Sequence, residues 1–372
     1  MIITEKELLK ELNIAKSILL VEPNYKRKYP PLGLMKISGF AKQNNKQTVF
    51  SRVAVCSGCD LICVTTLFTY DNEIVCNTLR ELRFLNPNTK IIIGGVAASV
   101  NAKKFEGVVS GLYIFVKYSS VLDNCIPDYD TDWGVDDMWK AYSYVFTTRG
   151  CPNSCKYCFV PKIEPWGGIV DTWKQQIDES KKKVMIYDNN ITAHGYEHIY
   201  NVATFCSSNN IKARLDNAVD IKYVNKQTAS ALAIFKLEKR GLRTAFDRIE
   251  EDGAFQVAIE ELIMAGISKY NIIAYVLFNF TDKPAEAHYR ASECRRLGIT
   301  PYPACFQPLN QYNRKNKYIS RFWTKKLSTA FMHYWLYAGI NRNYSFEEYA
   351  TGDGAERYKL DSKDWDMWNT SK

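Results

Sequence analysis

Short apolar runs alternate with longer stretches of helical period along most of the chain, the pattern of a parallel sheet covered by helices. In the first third, Ser17–Val21 reads as a strand, Pro31–Gln43 as a helix, the residues around Val49 as a strand and Asp60–Phe68 as another. A helix over Asp71–Leu85 and a strand over Lys90–Ile93, ending in Gly94 and Gly95, complete a doubly wound, Rossmann-like α/β domain. Ligands of such sheets sit at the carboxyl ends of the strands. Glu22–Asn24, Thr65–Thr69 and Gly94–Ala98 are therefore expected to rim any site there. The stretch from Val49 to Asp60 is short and irregular where a helix would ordinarily connect two strands.

A polar, turn-rich segment with Ile126–Asp130 at its centre separates this series from a second. Strands are expected at Tyr142–Thr148, Val184–Tyr187, Ile211–Leu215, Leu242–Phe246, Asn271–Leu277 and Ile299–Phe306. Between them, Phe255, Ala258, Leu262 and Ala265 recur at helical spacing before Gly266, and a further helix opens at Asp282–Pro284 and stops at Gly298. Six strands alternating with helices suit an incomplete (β/α)6 TIM-type barrel, with its chemistry at the carboxyl ends of the strands. The domains are expected at residues 1–125, 126–308 and 309–372, the last an aromatic and basic extension ending in a polar, partly disordered tail.

Nothing among the 372 residues approaches the ~20 apolar residues of a membrane span. The charged N-terminus, Met1–Leu8, lacks the apolar stretch of a secretory signal. A cytoplasmic protein without membrane contact is the expectation. The excess of basic over acidic residues, 49 against 40, favours anionic partners without identifying one. Gln311–Lys326 interleaves basic and aromatic residues, which suits stacking on nucleic-acid bases or, as the blander reading, an amphipathic helix covering the barrel.

Eleven cysteines in a reducing compartment point to metal chemistry or burial rather than disulfides. Cys151, Cys155 and Cys158 form CxxxCxxC directly after the first strand of the second series. Three thiolates on so tight a loop can wrap one iron–sulfur cube, and the missing fourth ligand leaves one iron open to a substrate or cofactor. A zinc knuckle would need His194 or Cys206 to close its tetrahedron, and no second CxxC follows. A chance grouping of buried thiols is the remaining alternative. Cys56, Cys59 and Cys63 are also closely spaced, but Cys63 falls inside a strand whose side chains pack in the sheet.

The CxxxCxxC motif, with Tyr157 before its last cysteine, resembles the signature of the radical S-adenosylmethionine (SAM) superfamily. The resemblance implies a [4Fe–4S] cluster on Cys151, Cys155 and Cys158, with SAM chelated to the open iron and cleaved to a 5′-deoxyadenosyl radical that abstracts hydrogen from a substrate. It further implies Tyr157 beside adenine, and Asp188 and Asn189 accepting from the SAM amino group where many members carry a glycine-rich or acidic turn. Arg214, Asp216, Arg243 and Asp247 lie at levels where members contact the SAM carboxylate and ribose; the alternative for each is an ion pair at the barrel rim. An electron donor such as flavodoxin or ferredoxin is implied as partner.

Tyr29–Leu34 and the strand ending at Gly94 and Gly95 resemble the cobalamin-binding domain that precedes the barrel in one subgroup of that superfamily. All four histidines, His194, His198, His288 and His333, lie outside this domain, so the balance is against bound cobalamin. A radical SAM enzyme acting on a nucleic acid, a peptide or a small molecule is thus the leading expectation. A cobalamin-dependent methyltransferase and a non-catalytic iron–sulfur or zinc protein that binds nucleic acid are the alternatives. A methylthiotransferase of the same superfamily is disfavoured, since neither a second three-cysteine cluster domain nor a C-terminal β-barrel is evident.

Overall fold

The computed structural model describes residues 1–217, 219–311, 317–352 and 356–369. The chain divides into two compact units: Met1–Val184 with the return segment that starts at Pro308, and Met185–Gln307 with the segment from Lys317 onward.

The first sheet holds β1 (Ile2–Ile3), β2 (Ser17–Val21), β3 (Gln47–Ser51), β4 (Leu61–Thr66), β5 (Lys90–Gly95) and β6 (Leu112–Phe115). All its pairings are parallel, in the order β1-β6-β5-β4-β2-β3. Its central strands are apolar on both faces, as a sheet covered on both sides requires. Leu19, Val21, Ile62, Val64, Ile91 and Ile93 share one core with Val75, Leu79 and Leu82 of a helix. The helices of this unit are α1 (Glu5–Ile14), α2 (Leu32–Gln43), α3 (Asn72–Leu85), α4 (Val96–Val100), α5 (Ser120–Asp123), α6 (Asp137–Lys140) and α7 (Val160–Ile163). Thr4 opens α1 with a capping box to Glu7. Gly39 lets α2 lie directly on the following linker, because a Cβ there would meet the Ile126 carbonyl oxygen at 1.9 Å.

The expected strands and helices of this domain are present to within a few residues. The residues between β3 and β4 form no helix, as their composition suggested. The sequence reading missed the two strands at one end of the sheet, the edge strand β1 and its neighbour β6: they pair through Ile2–Ile114 and Ile3–Phe115, and neither run is long enough to carry a period.

The second sheet is also parallel and six-stranded, in the order β12-β11-β10-β9-β8-β7. Its strands are β7 (Tyr142–Val145), β8 (Lys183–Ile186), β9 (Lys212–Leu215), β10 (Leu237–Ala245), β11 (Ile272–Phe278) and β12 (Thr300–Cys305). Neighbours in sequence are neighbours in the sheet, the order that repeated β–α units require and the one expected from the alternating pattern. Most strands begin or end within two residues of expectation, but β10 starts five residues early. It takes a register shift between Leu237 and Leu242, where Gly241 approaches the Ala213 carbonyl to a notional Cβ distance of 3.1 Å.

The helices of the second unit are α8 (Gly195–Ser208), α9 (Lys226–Ala233), α10 (Ala254–Met264), α11 (Pro284–Arg296), α12 (Lys325–Leu336), α13 (Phe346–Thr351) and α14 (Ser362–Asn369). Part of the polar tail folds as α13 and α14, while residues 353–355 and 370–372 lie outside the described residues. Trp368 is 1% exposed, with its ring 4.5 Å from that of Phe346. Trp323 and Phe331, on the basic and aromatic stretch and just after it, pack on Phe278 of β11 at 5.1 and 4.8 Å, which favours the structural reading of those rings. Residues 312–316 of that stretch lie outside the described residues.

Glu22, at the carboxyl end of β2, is 2% exposed and paired with Arg52, which also donates to the Trp133 carbonyl at 2.8 Å. Burial outweighs the Arg52 charge and lifts this carboxyl to about 7. Between the ordinary value of 4.5 and 7, the folded chain keeps a proton that the unfolded chain has lost, so this group's contribution to stability falls as pH rises through that window. Glu22→Gln removes the slope. Urea unfolding at the two ends of the window should show the wild type losing about 3 kcal/mol relative to the variant as pH rises. A difference that does not change with pH would contradict this.

Candidate functional site

The three cysteines lie on the loop between β7 and α7. The backbone leaving β7 is fixed first: Thr147 and Thr148 are fully buried, and Thr148 bridges Ile169 in antiparallel fashion. Gly150 follows at φ +76°, where a Cβ would meet the Pro165 carbonyl oxygen at 2.0 Å, so only glycine fits both the conformation and the space. Cys151, Cys155 and Cys158 are half-buried and not in disulfides. The Cys158 amide donates to the Cys155 carbonyl at 3.0 Å, forming a tight turn between the last two cysteines. The Val160 amide donates to Cys158 Sγ at 3.4 Å, a contact that favours the thiolate a metal would need. Tyr157 is half-buried on the same loop.

Among the described residues no three His, Cys, Asp or Glu side chains are gathered closely enough to hold a metal ion. The fit to an iron–sulfur cluster therefore rests on the donor set: three half-buried thiols outside any disulfide on one short loop, the last already accepting an amide hydrogen bond.

A buried charge network anchors this loop. Arg149 places Nε 2.7 Å from Asp123 Oδ2 and 3.2 Å from Glu164 Oε2, with its guanidinium carbon 3.9 Å from the Phe146 ring centroid. The Gly150 amide donates to the same Glu164 oxygen at 3.2 Å. Lys36 of α2, 3% exposed, donates to the Asp123 carbonyl at 2.5 Å and lies 3.6 Å from its carboxylate. Burial, opposed by Asp123, pulls the Lys36 ammonium down to about 8. Beside these groups is a cavity of about 200 Å³ over the first sheet, lined by Lys36, Thr65, Gly94, Gly95, Asp123 and Arg149. Thr65, Gly94 and Gly95 were expected at a rim from their place at strand ends; Lys36, Asp123 and Arg149 were missed, because nothing in their spacing marks them as neighbours. Also on this side, α7 packs against α4.

No such site forms at Cys56, Cys59 and Cys63: Cys63 is buried in β4, where burial pushes its thiol up to about 12, and Cys56 is exposed.

In the second unit, the candidate residues lie toward the carboxyl ends of the strands. Arg214 Nε is 2.6 Å from Asp216 Oδ1, and Arg243 Nε is 3.1 Å from the same oxygen. Arg243 also donates to the Tyr275 hydroxyl at 2.5 Å. The Tyr275 ring meets that of Tyr302 edge-on at 5.4 Å, and burial raises the Tyr275 phenol. Tyr275 and Tyr302 are cross-strand partners on β11 and β12, a pairing the sequence does not announce. Asp247, just past the end of β10, accepts the Leu277 amide at 3.1 Å. Asp188 is fully buried and Asn189 half-buried on the turn after β8. That turn is shaped by Asn190, which accepts from the Ala193 amide at 3.1 Å and donates to Asp220 at 3.0 Å.

No protein-family model matches the chain. It is 24% identical over 116 residues to the ribosomal protein uS12 methylthiotransferase RimO of Marinobacter nauticus, covering 28% of this chain and 24% of that protein. It is 22% identical over 138 residues to the threonylcarbamoyladenosine tRNA methylthiotransferase MtaB of Rickettsia prowazekii, covering 32% of this chain and 33% of that protein. The similarity thus spans about a quarter to a third of the length of these curated relatives.

The anchoring network makes a direct prediction. Asp123→Asn leaves two buried cations against one carboxylate and should cost roughly 3 kcal/mol or more of unfolding free energy, as loss of one partner of a buried pair does. Adding Lys36→Met should recover part of that loss, giving a coupling above about 1 kcal/mol in a double-mutant cycle followed by urea unfolding. Additive losses would show that Lys36 and Asp123 do not act together.

Proposed function

We propose that the protein is a radical SAM enzyme whose Cys151, Cys155 and Cys158 hold a [4Fe–4S] cluster. The observation that carries this reading is the CxxxCxxC loop directly after the first strand of a parallel, sequentially ordered six-stranded sheet. Methylthiotransfer is among the radical SAM activities considered above, so the two distant similarities support the superfamily. In this reading the second sheet curves into a partial barrel. When bound, the cluster supplies the electron that splits the SAM sulfonium into methionine and a 5′-deoxyadenosyl radical.

The chain's own residues bind and orient. Tyr157 is assigned to the adenine, and Asp188 and Asn189 to the SAM amino group. Arg214 and Arg243, which meet at Asp216, are assigned to the SAM carboxylate, and Asp216 and Asp247 to the ribose. Cobalamin stays outside the proposal, because the first α/β domain carries no histidine.

The relatives' names favour methylthiotransfer as a second reading. Against it, Cys63 is buried in a strand, and the described residues after Cys305 form helices and no strand.

The test is 5′-deoxyadenosine formation, followed by mass spectrometry on anaerobically reconstituted protein with dithionite and SAM. The wild type should release it and Cys155→Ala should not; a Cys155→Ala variant that cleaved SAM at the wild-type rate would sink the assignment.

A further inference from the structure

In the first sheet, the strand order β1-β6-β5-β4-β2-β3 places β4 beside β2 while the chain leaves β2 for β3 on one side and β4 for β5 on the other. The two crossovers diverge, and a crevice opens between the loops at the carboxyl ends of β2 and β4, the usual ligand position in an open α/β sheet. A cavity of about 400 Å³ occupies that place, within the roughly 300–1,000 Å³ of small-molecule clefts. The cysteine-loop reading makes no use of it.

Its lining has two chemistries. Phe68 and Tyr70 lie parallel, ring centroids 4.9 Å apart with 8° between planes, and Tyr29 contributes a third ring, itself set edge-on to Trp139 at 5.5 Å. Lys26 and Arg27 on the β2 loop are exposed, and no hydrogen bond or ion pair among the described residues engages either. Aromatic faces beside exposed cations match a planar ring that carries an anion. Asp71, 3% exposed, also lines the cavity wall.

We propose that this crevice binds a nucleobase bearing a phosphate, the base against Tyr29, Phe68 and Tyr70 and the phosphate on Lys26 and Arg27. The ligand chemistry is that of a free nucleotide or of one residue in a single strand of RNA.

Calorimetric titration of the full chain with GMP, guanosine, inorganic phosphate and a 5′-phosphorylated ten-residue single-stranded RNA tests it. GMP should bind at least tenfold more tightly than guanosine or phosphate, and Lys26→Ala/Arg27→Ala should weaken GMP at least tenfold while leaving the circular dichroism spectrum unchanged. Phe68→Leu, which keeps an apolar side chain, should weaken GMP and leave any phosphate binding alone. Tighter binding of the RNA identifies a strand as the source, and equal affinity a free nucleotide. No GMP or RNA binding at millimolar concentration, or binding that none of these substitutions alters, overturns the proposal, as does phosphate binding as tightly as GMP.

Discussion

A single buried guanidinium sets the geometry on which the cysteine loop depends. Arg149 stands two residues before Cys151, and its charge is met by Asp123 from α5 and by Glu164 from just beyond α7. Glu164 also takes the Gly150 amide, so one carboxylate holds both the side chain and the backbone of the turn that delivers the first cysteine. Such a pair is costly to desolvate, and its net worth to stability is small compared with the cost of breaking it. What it supplies is position: carboxylates from two separate segments meet the same Arg149 Nε, which ties the start of the loop to both. Gly150 adds the steric half of the constraint, since any side chain there would strike the Pro165 carbonyl.

The same network reaches into the first α/β domain through Lys36, whose ammonium is held by Asp123 despite nearly complete burial. Its depressed value has a definite sign. Below about 8, folded and unfolded chains both carry the proton, and the desolvation cost is present in full. Between 8 and the ordinary 10.5, the unfolded chain binds the proton more strongly, so this group's unfavourable contribution fades as pH rises. Glu22 behaves as a mirror image in the acid range: its burial penalty is absent at low pH and grows as the carboxyl ionises. Two oppositely charged buried groups in one domain thus oppose stability most strongly between about 7 and 8, where both carry charge.

How much of this was legible in the sequence depends on the range of the interaction. Local period found the central strands, because an apolar run in a two-sided sheet and a helix face are both written in adjacent residues; β1 and β6 were too short to write anything. The cysteine motif was legible for the same reason, being contained in eight residues. Its anchor was not, since Lys36, Asp123, Arg149 and Glu164 come from separate segments and only the fold brings them together. The helix α14 was hard to read for a related reason: charged residues dominate its composition, while Trp368 packs on Phe346 and His288, which are distant in sequence.

Ladder register decides which charged groups from different strands meet at the rim of the second sheet. Arg243 and Asp247 are four residues apart, but an extended strand carries residues that far apart by about 13 Å, beyond the reach of an ion pair held at one place. The ladder between β9 and β10 pairs Leu242 with Leu215, which sets Arg243 beside Asp216 instead. Asp247, past the end of β10, accepts from the backbone of β11 at Leu277. In a parallel sheet, charged groups at strand ends are brought together by ladder register. The Arg214–Asp216–Arg243–Tyr275 row therefore records three consecutive strands in register.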